Sequence, residues 1–335
     1  MNKENRIVWV DWTKALLICL VVLGHSGSIF TKPLYLFHIP AFFCISGYLC
    51  NYEKAEQGSL KSSKWMIFAI IIYNVIFMCI KAVKVFYTGI GFRLAEEGTL
   101  LSELIIKPTY GIFACNYMGN PWTHPLVGQF WFVWVLIIIK FLFRYLRNYS
   151  DKKLIIINMC CIIVVALWNI TGFRTLYYID RVILALPFFI TGQLCRRGHS
   201  KVCSFILSSG RKTQIVNILV MACGLAYYHF LYEYGRPDMF HFKIGHSAIL
   251  YYACSFAGTS LLIHICKRLD FNKIIKNISN GTFVILALHL YMLNFNFISF
   301  DPTCILFLGC ILTSLYPVII FFDKYFPVML GKRHY

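Results

Sequence analysis

Ten apolar runs, most of them close to the length that crosses a lipid bilayer, leave this 335-residue chain few ways to fold except as a bundle of membrane helices. They lie at 8–30, 33–50, 65–87, 129–147, 153–171, 179–195, 214–232, 246–266, 282–298 and 303–322. A helix rises about 1.5 Å per residue, so about 20 apolar residues span the hydrocarbon core. The runs are continuous rather than alternating segments of about 10 residues, which favours helices over a β-barrel. Composition agrees: 59% of residues are hydrophobic and 14% charged, against about 45–50% and about 25% in soluble domains. The expected fold class is all-α, a polytopic integral membrane bundle of about ten transmembrane helices. It forms one domain over residues 1–335, embedded in the lipid bilayer of the cell membrane. No cleavable signal peptide is expected, because the first run carries Lys14 and no clear small-residue cleavage site follows it.

The formal net charge of +18 could point to nucleic acid, but its placement argues otherwise. With the N-terminus on the cytoplasmic side, cytoplasmic segments hold 21 of the 32 Lys and Arg residues and the opposite segments hold 9. This asymmetry follows the positive-inside rule and sets both termini in the cytoplasm. The basicity is topological, and no nucleic-acid partner is expected.

Ionisable groups inside apolar runs are costly, and by default they mark a functional site. The first run carries three: Asp11, Lys14 and His25. Lys14 and His25 are 11 residues apart, about three turns, so both leave one face of a helix about 16 Å apart along its axis. Asp11 joins that face and is positioned to hold Lys14. The short return to FHIPAFFCISGYL brings His38 and Pro40 back at the same end as His25, so the two histidines can meet. Ser46, Gly47 and Tyr48 lie deeper in that second run. Asp180 and Arg181 enter the sixth run, and His289 sits about mid-depth in the ninth. The Ser-Gly-Tyr step reads equally well as close helix packing. Lone histidines such as His229, His246 and His264 read as hydrogen-bonded structural groups.

Most of the 14 cysteines fall within apolar runs, and no C-x-x-C pair occurs. They read as small hydrophobes, with no metal site and no disulfide framework expected. The long segment 88–128, which contains Cys115, Trp122 and His124, is the candidate cap of an outer cavity.

The opening pattern, a basic residue at Lys14, ten residues and then His25, with Asp11 just before, resembles the first motif of the membrane acyltransferase 3 family. HIPAFFCISGYL resembles that family's next signature, and the Trp131-Phe132 segment, the Arg181…Phe188-Phe189-x-x-Gly192 segment and the stretch ending at His289 follow in order. The chain is similar in particular to the fucose 4-O-acetylase-like branch. One departure is Lys14, where many relatives have arginine; lysine lacks the bidentate fork for phosphate.

The resemblance implies O-acyl transfer, usually of acetyl from acetyl-CoA, to a hydroxyl of a cell-envelope carbohydrate such as exopolysaccharide, capsule or a lipid-linked sugar. Acetyl-CoA enters as a substrate, and no permanently bound cofactor is implied. On this reading His25 is the general base and His38 orients it or the acceptor. Lys14 positions the anionic donor and Asp11 holds Lys14. Ser46, Tyr48, Arg181 and His289 contact the substrate, with Arg181 or Tyr48 also a candidate for the oxyanion. Direct transfer and a covalent relay through histidine or Ser46 both stay open, as does self-association into a homo-oligomer. The competing class is a proton-coupled transporter or exporter of a glycan or small solute, against which stands the concentration of polar residues in the first two runs.

Overall fold

The computed structural model describes residues 6–50, 56–109, 128–175, 178–198, 206–207, 210–293 and 301–332. Cys115, Trp122 and His124 lie outside the described residues. Regular structure among the described residues is helical, apart from one isolated bridge between Asp238 and Lys243.

Each apolar run carries a helix. In chain order these are α1 (Val8–His25), the short α2 (Thr31–Tyr35), α3 (His38–Leu49), α4 (Glu56–Tyr87), the short α5 (Ile90–Glu96) and α6 (Trp131–Leu146). There follow α7 (Asp151–Thr171), α8 (Ile179–Arg197), α9 (Arg211–Phe230), α10 (Ala248–Cys266), α11 (Lys273–Asn280), α12 (Thr282–Met292) and α13 (Ile305–Tyr325). Among the described residues, six helices are long and apolar enough to cross a membrane: α1, α7, α9, α10, α13 and the Ser63–Tyr87 part of α4. The second run is longer than the regular helix inside it, and residues 294–298 of the ninth lie outside the described residues. α3 has 12 residues and α12 has 11, which at about 1.5 Å per residue is little more than half a bilayer.

Burial sorts the helices into centre and periphery. α8 is buried from Asp180 to Cys195 except for the half-buried Ile183. Half of the spanning window of α1 and 61% of that of α10 are covered by protein, against 17% for α7 and 22% for α9 and α13. The periphery is where lipid-facing apolar side chains belong.

The tightest seam lies between α3 and α8, and it explains two glycines. A Cβ on Gly47 would stand 2.0 Å from the Phe189 carbonyl oxygen, and one on Gly192 would stand 1.9 Å from that of Cys44. The backbones touch, as small residues permit inside membranes. At the end of α3, the Gln193 side-chain amide donates to the carbonyls of Gly47 and Cys50, and Gly47 also accepts from the Cys50 N–H at 3.1 Å. The Ser-Gly step of the second run is therefore a packing device.

Three features set the His25 end of the bundle. Ser255 of α10 donates to the Leu36 carbonyl at 2.7 Å, fixing the turn that starts α3. Ser28 donates to the Thr303 carbonyl at 2.7 Å, and the Ile29 N–H donates to the Pro302 carbonyl at 3.0 Å. Beside them Asp301 caps α13; hydrogen bonds from the Thr303 hydroxyl and the Leu306 N–H hold its carboxyl below the ordinary range. The connection 231–247 folds over this end, pinned by Arg181, whose Nε donates to the Phe240 carbonyl at 3.0 Å, and by Arg174, which donates to that of Phe242 at 3.3 Å.

Candidate functional site

The three histidines singled out by sequence converge. His25 is the last residue of α1 and His38 the first of α3. The two helices run antiparallel: His38 Nε2 lies 3.9 Å from where a Cβ on Gly24 would stand, and at the other end the Trp9 and Tyr48 rings are 5.1 Å apart. His289 also arrives at this end. Its ring centroid is 5.3 Å from that of His25, and it lies in the last turn of α12.

Hydrogen bonds fix two of the three tautomers. His38 Nδ1 lies 2.6 Å from the Leu34 carbonyl, and His289 Nδ1 lies 3.0 and 2.9 Å from those of Ile285 and Leu286. A carbonyl only accepts, so in both rings Nδ1 carries the hydrogen, and the neutral ring keeps its lone pair on Nε2. His289 is fully buried, and its Nε2 has no hydrogen-bond partner among the described residues.

His25 and His38 line a cavity of about 380 Å³, within the range of small-ligand sites. One wall is aromatic, from Tyr35, Trp131, Phe132 and Phe240; the Trp131 and Phe240 rings lie 5.4 Å apart. The 231–247 connection, which supplies Phe240, also contributes Arg236, Asp238 and His241. His241 Nδ1 donates to Asp238 Oδ2 at 2.6 Å. The Arg236 guanidinium lies over the Tyr35 ring, 4.1 Å from its centroid, and makes no hydrogen bond or ion pair among the described residues. Gln129 also lines the cavity, and its Nε2 donates to the Ala287 carbonyl at 2.9 Å.

Lys14 is half-buried three turns down α1 from His25. The expected Asp11–Lys14 ion pair does not form. Asp11 instead takes the Arg6 guanidinium with both carboxylate oxygens and accepts from Ser279 at 3.0 Å. The planar fork of arginine matches a carboxylate better than an ammonium does. Lys14 makes no hydrogen bond or contact ion pair among the described residues; Asp11 stays within electrostatic reach, as do Lys332, Arg6 and Lys140. A second cavity, of about 420 Å³, opens at this end and includes Lys273, Asn277, Asn280, Tyr316 and Lys324. Arg6 also donates to Asn280 at 3.3 Å.

Three further expectations need correction. Ser46 and Tyr48 sit toward the Lys14 end of α3, away from the histidine cavity, because α3 runs back along α1. Arg181 is buried and bound by both oxygens of Asp180, at 2.8 and 2.6 Å, while its Nε holds the Phe240 carbonyl. Its Nε and Nη1 are engaged and it does not line the cavity, so it braces the rim from behind. The residues missed by sequence, Arg236, Asp238 and His241, belong to the turn-rich GRPDMFHFK stretch. The Asp-x-x-His spacing within it was the available signal.

Among the described residues, His, Cys, Asp and Glu form no group of three or more that could hold a metal ion.

Comparison with known proteins bears on this arrangement. Residues 7–322 match the membrane family described as "Acyltransferase domain". A nodulation protein, NolL, of Mesorhizobium japonicum is 24% identical over 178 residues, which cover 48% of this chain and 41% of that protein. The match thus spans less than half the length of that relative. No solved structure matches.

Proposed function

The chain belongs to the membrane acyltransferase 3 family, shown by the match over residues 7–322, and from that premise we propose that it is an O-acyltransferase acting on a carbohydrate of the cell envelope. The donor in this reading is cytoplasmic acetyl-CoA and the acceptor is a sugar hydroxyl presented from the outer side. The observation that carries it is the convergence of His25, His38 and His289 at one end of α1, with Lys14, which makes no hydrogen bond among the described residues, about 16 Å down the same helix.

Topology supports the direction. The excess of Lys and Arg in alternate connections favours ten crossings with both termini cytoplasmic. Lys14 and the second cavity then face the cytoplasm, where cations raise the local concentration of an anionic donor. The histidine cavity faces outward. Its aromatic wall and ring of polar groups suit a sugar, which offers an apolar face and a hydroxyl edge.

In the reaction, the acceptor hydroxyl oxygen attacks the thioester carbonyl carbon and its proton passes to His25. The tetrahedral intermediate collapses, the carbon–sulfur bond breaks, and the departing thiolate takes up the proton. An imidazole suits the base role because its ordinary pKa, about 6.5, lies near working pH. His38 is held with Nε2 unprotonated and is placed to orient the acceptor. Labelled acetyl-CoA supplied to membranes with an envelope glycan extract tests this: label should reach glycan only when the protein is present.

A further inference from the structure

We propose that Arg236 stabilises the oxyanion formed at the thioester carbonyl, an inference that rests on the acyl-transfer reading above. Attack on the carbonyl moves its π electron pair onto oxygen, and that charge needs a donor aimed at it from a dry, preorganised site. Sequence offered Arg181 or Tyr48. Neither serves, since Arg181 does not line the cavity and spends its Nε and Nη1 on Phe240 and Asp180, and Tyr48 packs on Trp9 at the far end of α1.

Arg236 meets the geometric requirement. It is the one Lys or Arg among the described residues that line the cavity, and it shares that cavity with His25 and His38. The acidic group beside it, Asp238, is bonded to His241 rather than to Arg236. The guanidinium carbon lies 4.1 Å from the Tyr35 ring centroid, a cation–π contact that uses none of its N–H donors on a hydrogen bond.

The backbone around Arg236 is also fixed. Gly235 takes a left-handed conformation, φ +66°, and its N–H donates to the Tyr232 carbonyl at 2.8 Å. Pro237 restricts Arg236 to extended geometry. Two residues on, the Asp238–Lys243 bridge closes the loop with hydrogen bonds of 2.6 and 2.8 Å, and Arg181 and Arg174 clamp it from below. A side chain held this way needs little reorganisation when charge appears, which is the condition for a large contribution.

The test is transfer of label from acetyl-CoA to a glycan extract in proteoliposomes containing wild-type protein, Arg236→Gln or Arg236→Lys. Arg236→Gln should lower the maximal rate about 10²–10³-fold, with half-saturating acetyl-CoA and glycan changed by less than about threefold. Arg236→Lys keeps the charge without the fork and should fall between the two. An unchanged maximal rate in Arg236→Gln overturns the proposal. So does a defect confined to half-saturating glycan, which would make Arg236 a binding group for an anionic acceptor. Should Arg236→Gln unfold, Arg236→Lys decides, and a wild-type rate there is equally contrary. Absence of label with wild-type protein removes the acyl-transfer reading, and the oxyanion role falls with it.

Discussion

The imidazole of His289, in α12, lies 5.3 Å from that of His25, the last residue of α1, with the ring planes inclined at 46°. His289 is sealed from solvent, its Nδ1 hydrogen is committed to two carbonyls, and its Nε2 has no partner among the described residues. A buried polar atom without a partner costs free energy unless function uses it. A positioning role for His289, accepting from His25 after a small ring movement, is therefore open to a direct test.

Replacement of His289 by Phe keeps an aromatic of similar shape and removes the lone pair. The maximal transfer rate should fall about 10–10²-fold, short of the about 10²–10⁴-fold that loss of a direct proton acceptor costs. A steady-state assay at saturating donor and acceptor reads this, with thermal unfolding in detergent as the folding control. An unchanged rate would assign His289 to packing.

At the α3–α8 seam, Gly47→Ala and Gly192→Ala each place a methyl within 2.0 Å of a backbone oxygen. The helices must separate, at a cost of about 1–3 kcal/mol or more. Both variants should show a lower unfolding temperature and reduced yield. A wild-type unfolding temperature would refute the close contact.

Removing one member of the buried Asp180–Arg181 pair leaves the other uncompensated, which typically costs about 3–5 kcal/mol. Arg181→Gln also releases the Phe240 carbonyl. Its expected mark is faster proteolysis in the 231–247 connection before global unfolding. Cleavage rates there equal to wild type would show that the clamp is dispensable.

The Arg6–Asp11 contact is partly exposed, with side-chain accessibilities of 24% and 13%, so its coupling energy should be about 0.2–1 kcal/mol. A double-mutant cycle with Arg6→Gln and Asp11→Asn, read by unfolding, measures it. Strong coupling of Asp11 to Lys14 instead would restore the pairing expected from sequence.

What could be read from sequence followed from periodicity, and what could not depended on distant braces. Lys14, His25 and His38 were legible because an 11-residue spacing and a short return fix faces and ends without further information. The helical character of the runs was legible for the same reason, while six helices among the described residues are long and apolar enough to cross a membrane and α3 has 12 residues. Ser46 and Tyr48 were misassigned because α3 carries them away from His38 along α1. Arg236, Asp238 and His241 escaped notice because a connection has no period. Its place over the cavity is set by Arg174 and Arg181, about 60 positions earlier in the chain.

The most direct test compares label transfer from acetyl-CoA to an envelope glycan extract by wild-type protein, His25→Ala and Lys14→Ala, together with CoA binding to each. The account predicts that His25→Ala lowers the maximal rate about 10²–10⁴-fold while still binding CoA, and that Lys14→Ala chiefly weakens CoA binding. Transfer by His25→Ala at the wild-type rate, or no label on glycan with wild-type protein and intact donor, would contradict it.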